Sequence, residues 1–341
     1  MLDLRPGGGV APADGPVDWT QLDKLPSCLT VEWSGPDRGI ADAVGARLGI
    51  RFLYWSDAVG DLDLRRTRLR TVRLAGAELR SVRLPRSIET VLLRDPPAGL
   101  QVEAPDEGSR VDLRLFQDGS DVVIPTGLRR VSTVWLRVGG EVSAAVLETL
   151  SELRDLTLTF NAPPGIITDL AHLPRQLRTL KLDDAYGLDP DALPELPRLR
   201  SLVLHGTRRT TATTLRRRFT HGPVTLSVDG AKSERWLAEH MDNPFRDWVE
   251  ESTAFGRAAC AAYTRAQQAI SAIAPEAADR SAAGEQALRD LVADLNTINS
   301  EHELIDTILR EQAWNAFREL AGRLSTPDTR AAEWFDQDRR F

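Results

Sequence analysis

The chain has 341 residues, of which 42% are hydrophobic and 27% are charged, a composition that excludes disordered and collagen-like proteins and favours about two folded domains. No apolar run approaches the roughly 18 residues of a membrane-spanning helix, and the first residues lack the apolar segment of an export signal. We therefore expect a cytoplasmic protein without membrane contact. The net charge of −7 falls in the C-terminal third, and an acidic chain argues against nucleic acid as the main partner.

Residues 1–17 are rich in Gly and Pro and are predicted to form a flexible N-terminal tail. The glycine run from Gly7 to Gly9 follows no predicted strand and precedes no predicted helix. It therefore does not match a phosphate-binding loop, which needs both.

A repeating unit follows the tail. Two apolar residues separated by one residue are typical of a short strand, and this unit recurs about every 22 residues. A nearly constant step predicts stacked copies of one structural unit, each completing the core of its neighbour. The ten copies are Leu29-x-Val31, Ile50-x-Phe52, Val72-x-Leu74, Val91-x-Leu93, Leu113-x-Leu115, Val134-x-Leu136, Leu156-x-Leu158, Leu180-x-Leu182, Leu202-x-Leu204 and Val224-x-Leu226.

The better copies also match in the residues before the strand, as in LSELRDLTL (150–158), LPRQLRTLKL (173–182) and LPRLRSLVL (196–204). These segments resemble the leucine-rich repeat of L-x-x-L-x-L units, and the resemblance covers about residues 25–228. It implies an α/β solenoid, a stack of parallel strands of about ten turns over residues 18–230, in a bacterial leucine-rich-repeat protein with a C-terminal helical domain. The usual Asn or Cys after the strand occurs only as Asn161, which predicts irregular turns.

Two other interpretations of the strand region remain open. Leucines recur at every fifth position in one segment, as in pentapeptide-repeat β-helices, which also stack parallel strands. A doubly wound α/β domain would also place strands 20 to 40 residues apart, but without a constant step. The five leucines are Leu64, Leu69, Leu74, Leu79 and Leu84.

The sequence becomes rich in Ala and Glu near Gly230, and residues 231–341 are predicted to form a small all-α domain. The first long helix is expected to start at Asn243-Pro244 and to continue to Ile273. A second helix is expected through Leu288 to Ile298, and a third is expected to open with a capping box at Ser300 and Glu303. A last short helix is expected after Thr326-Pro327.

The predicted strands place one set of side chains on the concave face of the solenoid, because successive side chains alternate between the two faces. Arginine beside exposed aromatic rings is typical of protein-binding surfaces. We therefore predict a non-enzymatic scaffold that binds a protein or an acidic peptide. An intramolecular contact with the acidic helical domain is a further hypothesis. The predicted binding residues are Arg51, Arg73, Arg94, Arg114, Phe116, Trp135, Arg137 and Lys181.

A phosphate or nucleic-acid binder is one alternative, because the Arg-rich strand face or a second basic cluster could contact phosphates. The second cluster comprises Arg208-Arg209 and Arg216 to Arg218 and is expected on the convex side or an edge.

An enzyme in the helical domain is the other alternative. Bacterial leucine-rich-repeat ubiquitin ligases carry a nucleophilic Cys in a Cys-x-Asp motif, whereas Cys260 is followed by Ala261-Ala262. The sequence His302-Glu303-x-x-Asp306 is similar to a helical zinc motif, with Asp in place of the second His, but no third ligand is marked. Cys28 and Cys260 are also too few for a disulfide framework. We therefore predict no catalytic residue, no cofactor and no metal site.

Overall fold

The computed structural model describes residues 2–3, 12, 15–119, 121–274 and 280–341. The chain forms two compact units, Met1–Ser233 and Glu234–Phe341, which we call the sheet unit and the helical unit. The division lies close to Gly230, where the composition of the sequence changes. Most of the predicted tail, including Gly7 to Gly9, lies outside the described residues.

The sheet unit is built on one parallel sheet, the main sheet, in which the spatial order of the strands follows their order along the chain. The connection between two successive strands, which we call a return segment, brings the chain back to the end of the sheet where the previous strand began. The next strand then adds at the edge of the sheet. The strands are β1 (Leu2–Asp3), β2 (Thr30–Ser34), β3 (Phe52–Ser56), β5 (Thr71–Ala75), β7 (Thr90–Arg94), β9 (Asp112–Phe116), β10 (Thr133–Val138), β12 (Asp155–Phe160), β14 (Thr179–Asp183), β15 (Ser201–Arg208) and β16 (Thr225–Lys232).

Buried and accessible residues alternate along the strands from β5 to β15, as the period of a half-buried strand requires. The apolar pairs from Val72-x-Leu74 to Leu202-x-Leu204 are buried, so the predicted frame is confirmed for these strands. Equivalent residues also pair in register, as Leu156 does with Leu180 and Leu180 with Leu202. The core is therefore a ladder of aliphatic side chains running from strand to strand.

The predicted apolar pair is displaced in three copies: by two residues in the first and the last, which keeps the predicted faces, and by three in the second, which exchanges them. The buried pairs are Val31-x-Trp33 and Leu53-x-Trp55, whereas Leu29 is 53% exposed. The two indoles fill the core at this end, and their Nε1 atoms donate hydrogen bonds to carbonyls of the turn after β2. In the last copy Val203 pairs with Ser227, which places Leu226 and Val228 on the core side of β16.

Two smaller parallel sheets lie in the return segments. One contains β4 (Gly60–Asp63), β6 (Leu79–Arg83) and β8 (Gln101–Glu103), and the other contains β11 (Glu141–Ser143) and β13 (Ile166–Thr168). The five leucines spaced by five residues, from Leu64 to Leu84, are all buried in the core that these strands share with the main sheet. The five-residue spacing therefore marks inward-pointing positions within the longer repeat. Two helices complete the return segments, α1 (Ile40–Gly45) and α2 (Arg209–Phe219).

The helical unit packs its apolar side chains into a core separate from that of the sheet unit. Trp248, Phe255 and Tyr263 are almost fully buried there, and Trp248 Nε1 donates a hydrogen bond of 2.6 Å to Gln312 Oε1. None of the helices in the described part of the chain is both long and apolar enough to cross a membrane. The helices are α3 (Glu234–His240), α4 (Thr253–Ser271), α5 (Arg280–His302), α6 (Thr307–Arg323) and α7 (Asp328–Asp338), with a 3-10 turn at Arg246–Glu250.

Two of the predicted helix starts are wrong. The long helix starts at Thr253 rather than at Asn243. Asn243 instead holds the segment before it, since its Nδ2 donates to Cys260 O and its Oδ1 accepts from Phe245 N. The predicted capping box at Ser300 lies inside α5, which continues to His302. Asp306 caps α6 instead, and its Oδ1 accepts a hydrogen bond from Leu309 N. The predicted start of the last helix after Thr326-Pro327 is confirmed, since α7 begins at Asp328.

Candidate functional site

The main sheet presents two rows of side chains on the face that points away from its buried aliphatic ladder, and we call this the outer face. Register places neighbouring members of each row side by side on adjacent strands. The first row comprises Glu32, Tyr54, Arg73, Leu92, Arg114, Trp135, Thr157, Lys181, Val203 and Ser227. The second row comprises Ser34, Ser56, Ala75, Arg94, Phe116, Arg137, Thr159, Asp183, His205 and Asp229.

Seven of the eight predicted binding residues lie in these rows, and Arg51 does not. Arg51 precedes β3, and its Nη1 donates a hydrogen bond of 3.0 Å to Arg68 O. Tyr54 takes the position that was predicted for Arg51, because the frame of this strand is shifted. The same shift buries Leu53 completely, although it was expected on the outer face.

The centre of the outer face is a group of four contacting side chains, which we call the aromatic cluster: Arg114, Phe116, Trp135 and Arg137. The Phe116 and Trp135 rings meet edge to face, with centroids 5.4 Å apart and an interplanar angle of 75°. The Arg114 guanidinium lies 5.5 Å from the Trp135 ring centroid, and that of Arg137 lies 5.7 Å from the Phe116 centroid. This geometry favours cation–π attraction, and it places rigid rings between two charges.

Hydrogen bonds hold the aromatic cluster in place. Trp135 Nε1 donates to Thr159 Oγ1 over 3.1 Å, and Thr159 Oγ1 donates to Asp183 Oδ2 over 2.9 Å. Lys181 Nζ lies 3.5 Å from the other oxygen of Asp183. The Trp135 ring is therefore held by a chain of contacts across three strands, which limits its rotamer freedom.

The two cationic members of the aromatic cluster have polar partners of their own. Arg114 donates to Asp112 Oδ2 through Nε and Nη2, over 3.1 and 2.8 Å. Arg137 Nε donates to Asn161 Oδ1, and Asn161 Nδ2 donates to Asp118 Oδ1. Their charges are therefore partly compensated inside the protein.

Sequence reasoning missed Tyr54 on this face, whereas Glu32 lies on the face that strand alternation predicts for it. The available signal was the size of Trp55, because a large aromatic side chain buries much apolar area when it points into the core. Reading Trp55 as inward would have placed Tyr54 outward.

The helical unit contains the residues proposed for an enzyme, and the structure separates them. Cys260 lies on α4 with 1% of its surface exposed, and burial raises the pKa of its thiol to about 12. His302 ends α5, whereas Asp306 precedes α6 and caps it, so the expectation that both lie on one helical face is wrong. Within the described residues, no group of three or more His, Cys, Asp or Glu side chains is arranged to hold a metal ion.

We expect iodoacetamide at about pH 8 to alkylate Cys28 in the native protein and Cys260 only after denaturation. A pKa of about 12 leaves about one thiol in ten thousand ionised at this pH, and the thiolate is the reactive form. Cys28 is half-buried and provides the internal control. Peptide mass mapping with and without urea measures both sites, and native alkylation of Cys260 at the rate of Cys28 would contradict the buried, unreactive assignment.

The second basic cluster is largely engaged in backbone contacts. Arg218 donates to the carbonyl oxygens of Pro190, Leu193 and Pro194, and Arg208 Nε donates to Tyr186 O over 2.7 Å. Arg216 and Arg217 are exposed in the last turn of α2, where positive charge complements the helix dipole. The contacts of Arg208 and Arg218 thus have a structural role at the two ends of α2.

Comparison with models of known protein families found no match, and comparison with curated proteins found none either.

Proposed function

We propose that the sheet unit is a leucine-rich-repeat-like solenoid whose outer face is its concave side and binds a protein or an acidic peptide, without catalysis. The observation that carries this proposal is the aromatic cluster, in which Phe116 and Trp135 present rigid rings between two guanidinium groups. Trp and Arg dominate the binding energy of protein interfaces, and pre-ordered rings lose little entropy on binding. We place this function in the cytoplasm of a bacterium.

The pattern of the sheet supports the solenoid part of the proposal. Strands follow one another in space as they do in the chain, and the residues of neighbouring copies pair in register. A protein of this type exposes one broad sheet face, and ten strands at about 4.8 Å spacing form a surface of roughly 43 Å, enough for an interface of ordinary size.

Selection of random dodecapeptides, displayed on phage and panned against the full chain, tests the binding function. Trp135→Ala should weaken binding of the selected peptides by about thirtyfold or more, which corresponds to about 2 kcal/mol or more for an interface anchor. The joint change Arg114→Glu with Arg137→Glu should also weaken binding, and this loss should shrink as salt rises, because exposed charges are screened. The loss caused by Trp135→Ala should persist at high salt.

Arg86→Glu is the matched control, because Arg86 is exposed in the loop between β6 and β7 and lies outside the outer face. It should leave peptide binding unchanged. Thermal unfolding should show each variant to be folded, since the side chains of the aromatic cluster are accessible. Peptides whose binding ignores Trp135→Ala, or that respond equally to Arg86→Glu, would overturn the proposal.

A further inference from the structure

A depression of about 280 Å³ opens on the outer face at the N-terminal strands β2, β3, β5 and β7. Trp33 and Trp55, whose indoles are buried in the core, also contribute to its lining, and Ala75 is the smallest of the lining residues. The side chains at its rim are Glu32, Tyr54, Arg73 and Arg94. Arg94 pairs in register with Phe116, so the depression adjoins the aromatic cluster.

The two arginines of the depression differ from the other cations of the outer face. Arg73 and Arg94 are both exposed, and neither has a hydrogen bond or ion pair within the part of the chain that the structure describes. Arg114, Arg137 and Lys181, by contrast, each contact a carboxylate or amide oxygen. The depression therefore carries two guanidinium groups that have no partner within the described residues.

Register brings these two charges close together. Arg73 pairs with Leu92, and Arg94 pairs with Ala75, so the arginines are diagonal neighbours on β5 and β7. Diagonal positions lie roughly 7 to 8 Å apart, within reach of two long side chains, and like charges at such sites repel each other. An anion between them would remove this repulsion and bridge two planar donor groups, which suit the two oxygens of a carboxylate.

The other polar groups of the depression limit how many anionic groups a ligand can place there. Ser56 Oγ already donates to Trp33 O, which leaves Tyr54 as the further hydroxyl at the rim. Glu32 lies two strands from Arg73, roughly 9.6 Å away at the usual strand spacing. Its negative charge would repel a second anionic group on that side of the depression. The arrangement thus favours a single anionic group on the arginine side.

We infer that this depression is a subsite for one acidic side chain of the bound chain, whose carboxylate lies between Arg73 and Arg94 while its neighbours extend toward the aromatic cluster. The inference rests on the proposed function, because the acidic side chain belongs to the protein or peptide that the outer face binds. The inference adds a sequence requirement for the ligand, which carries an acidic residue next to the residues that contact Phe116 and Trp135.

Titration of the full chain with N-acetyl hexaglutamate amide tests the subsite, with the arginine Nε–Hε signals followed by two-dimensional NMR. The signals of Arg73 and Arg94 should shift saturably. Arg73→Gln and Arg94→Gln should each weaken binding of this probe by about three- to tenfold, as expected for loss of one charged contact at an accessible site. Glu32→Gln should strengthen it by about two- to threefold, because the opposing charge is removed.

Arg86→Gln provides the matched control, since it removes the same charge from an exposed position outside the outer face. It should leave the affinity unchanged. Equal weakening by Arg86→Gln would show that the probe binds by overall charge, and no response to Glu32→Gln would show that it does not bind beside Glu32; either result would overturn the inference. Inorganic phosphate that shifts the same signals at lower concentration than hexaglutamate would overturn the carboxylate assignment in favour of a phosphate site.

The two proposals can fail separately. If hexaglutamate responds to Arg73→Gln and Arg94→Gln while the selected dodecapeptides ignore Trp135→Ala, the proposed function fails and an isolated anion subsite remains. If Trp135→Ala weakens the dodecapeptides while both Arg variants leave hexaglutamate and dodecapeptide binding unchanged, the subsite fails and the proposed function stands.

Discussion

Leu180→Ala is expected to lower the free energy of unfolding of the sheet unit by about 2 to 5 kcal/mol, the range for a leucine removed from a packed core. Leu180 is fully buried on β14, between Leu156 on β12 and Leu202 on β15. Backbone hydrogen bonds hold these strands at a fixed spacing, so the structure cannot close around the missing atoms. Urea unfolding of the full chain, followed by circular dichroism, measures the loss.

Lys181→Ala is the control in the adjacent position of the same strand. Lys181 lies on the outer face, where its ion pair with Asp183 is partly exposed, and its removal should change stability by no more than about 0.5 kcal/mol. A shift of one residue in the strand frame would exchange the roles of the two positions. Similar losses for both variants would therefore show that the two faces of β14 are wrongly assigned.

Gly256→Ala is expected to destabilise the helical unit by about 3 kcal/mol. An added Cβ atom at Gly256 would lie 2.2 Å from Val249 N and 2.6 Å from Trp248 C. These are backbone atoms of the 3-10 turn that packs against α4, so no rotamer change can relieve the clash. Because Trp248 and Phe255 stack with centroids 5.1 Å apart, separating the two segments would also disturb the aromatic core.

Gly322→Ala on α6 should have the opposite sign and raise stability by about 0.5 to 1 kcal/mol. No atom lies within 4 Å of an added Cβ there, and alanine favours the helix by restricting the unfolded chain. Thermal unfolding of both variants beside the wild type gives the comparison. A loss of stability at Gly322, or none at Gly256, would contradict the packing of α4 against the turn.

The strands from β5 to β15 could be predicted because the pattern that marks each strand lies within a few consecutive residues. Each carries two aliphatic residues around one accessible residue, and this alternation repeats at a nearly constant step. The first strands are different, since Leu29-x-Val31 and Val31-x-Trp33 both satisfy the same pattern. Packing decided between them, because the Trp33 and Trp55 indoles fill the core and Leu29 cannot do so from its position.

The helix starts also could not be decided from the sequence alone, because more than one residue satisfies the pattern of a helix start. Ser300 with Glu303 and Asp306 alone are both acceptable capping signals in a single sequence. The chain uses Asp306, while α5 continues to His302, whose ring lies 5.8 Å from the Phe255 ring in the core of the helical unit. The helix α5 thus continues past Ser300, the residue at which the next helix was predicted to start.

The sequence by itself determined the repeat, the inward face of most strands and the presence of Arg114, Phe116, Trp135 and Arg137 on the other face, because strand alternation depends only on neighbouring residues. It also contained the pair Asp112 and Arg114, which share a face two positions apart. Only the tertiary structure decided which arginines form hydrogen bonds or ion pairs with residues of neighbouring strands. Arg137 contacts Asn161 from the next strand, whereas Arg73 and Arg94 contact no such group in the described residues, because register alone sets which side chains meet across strands.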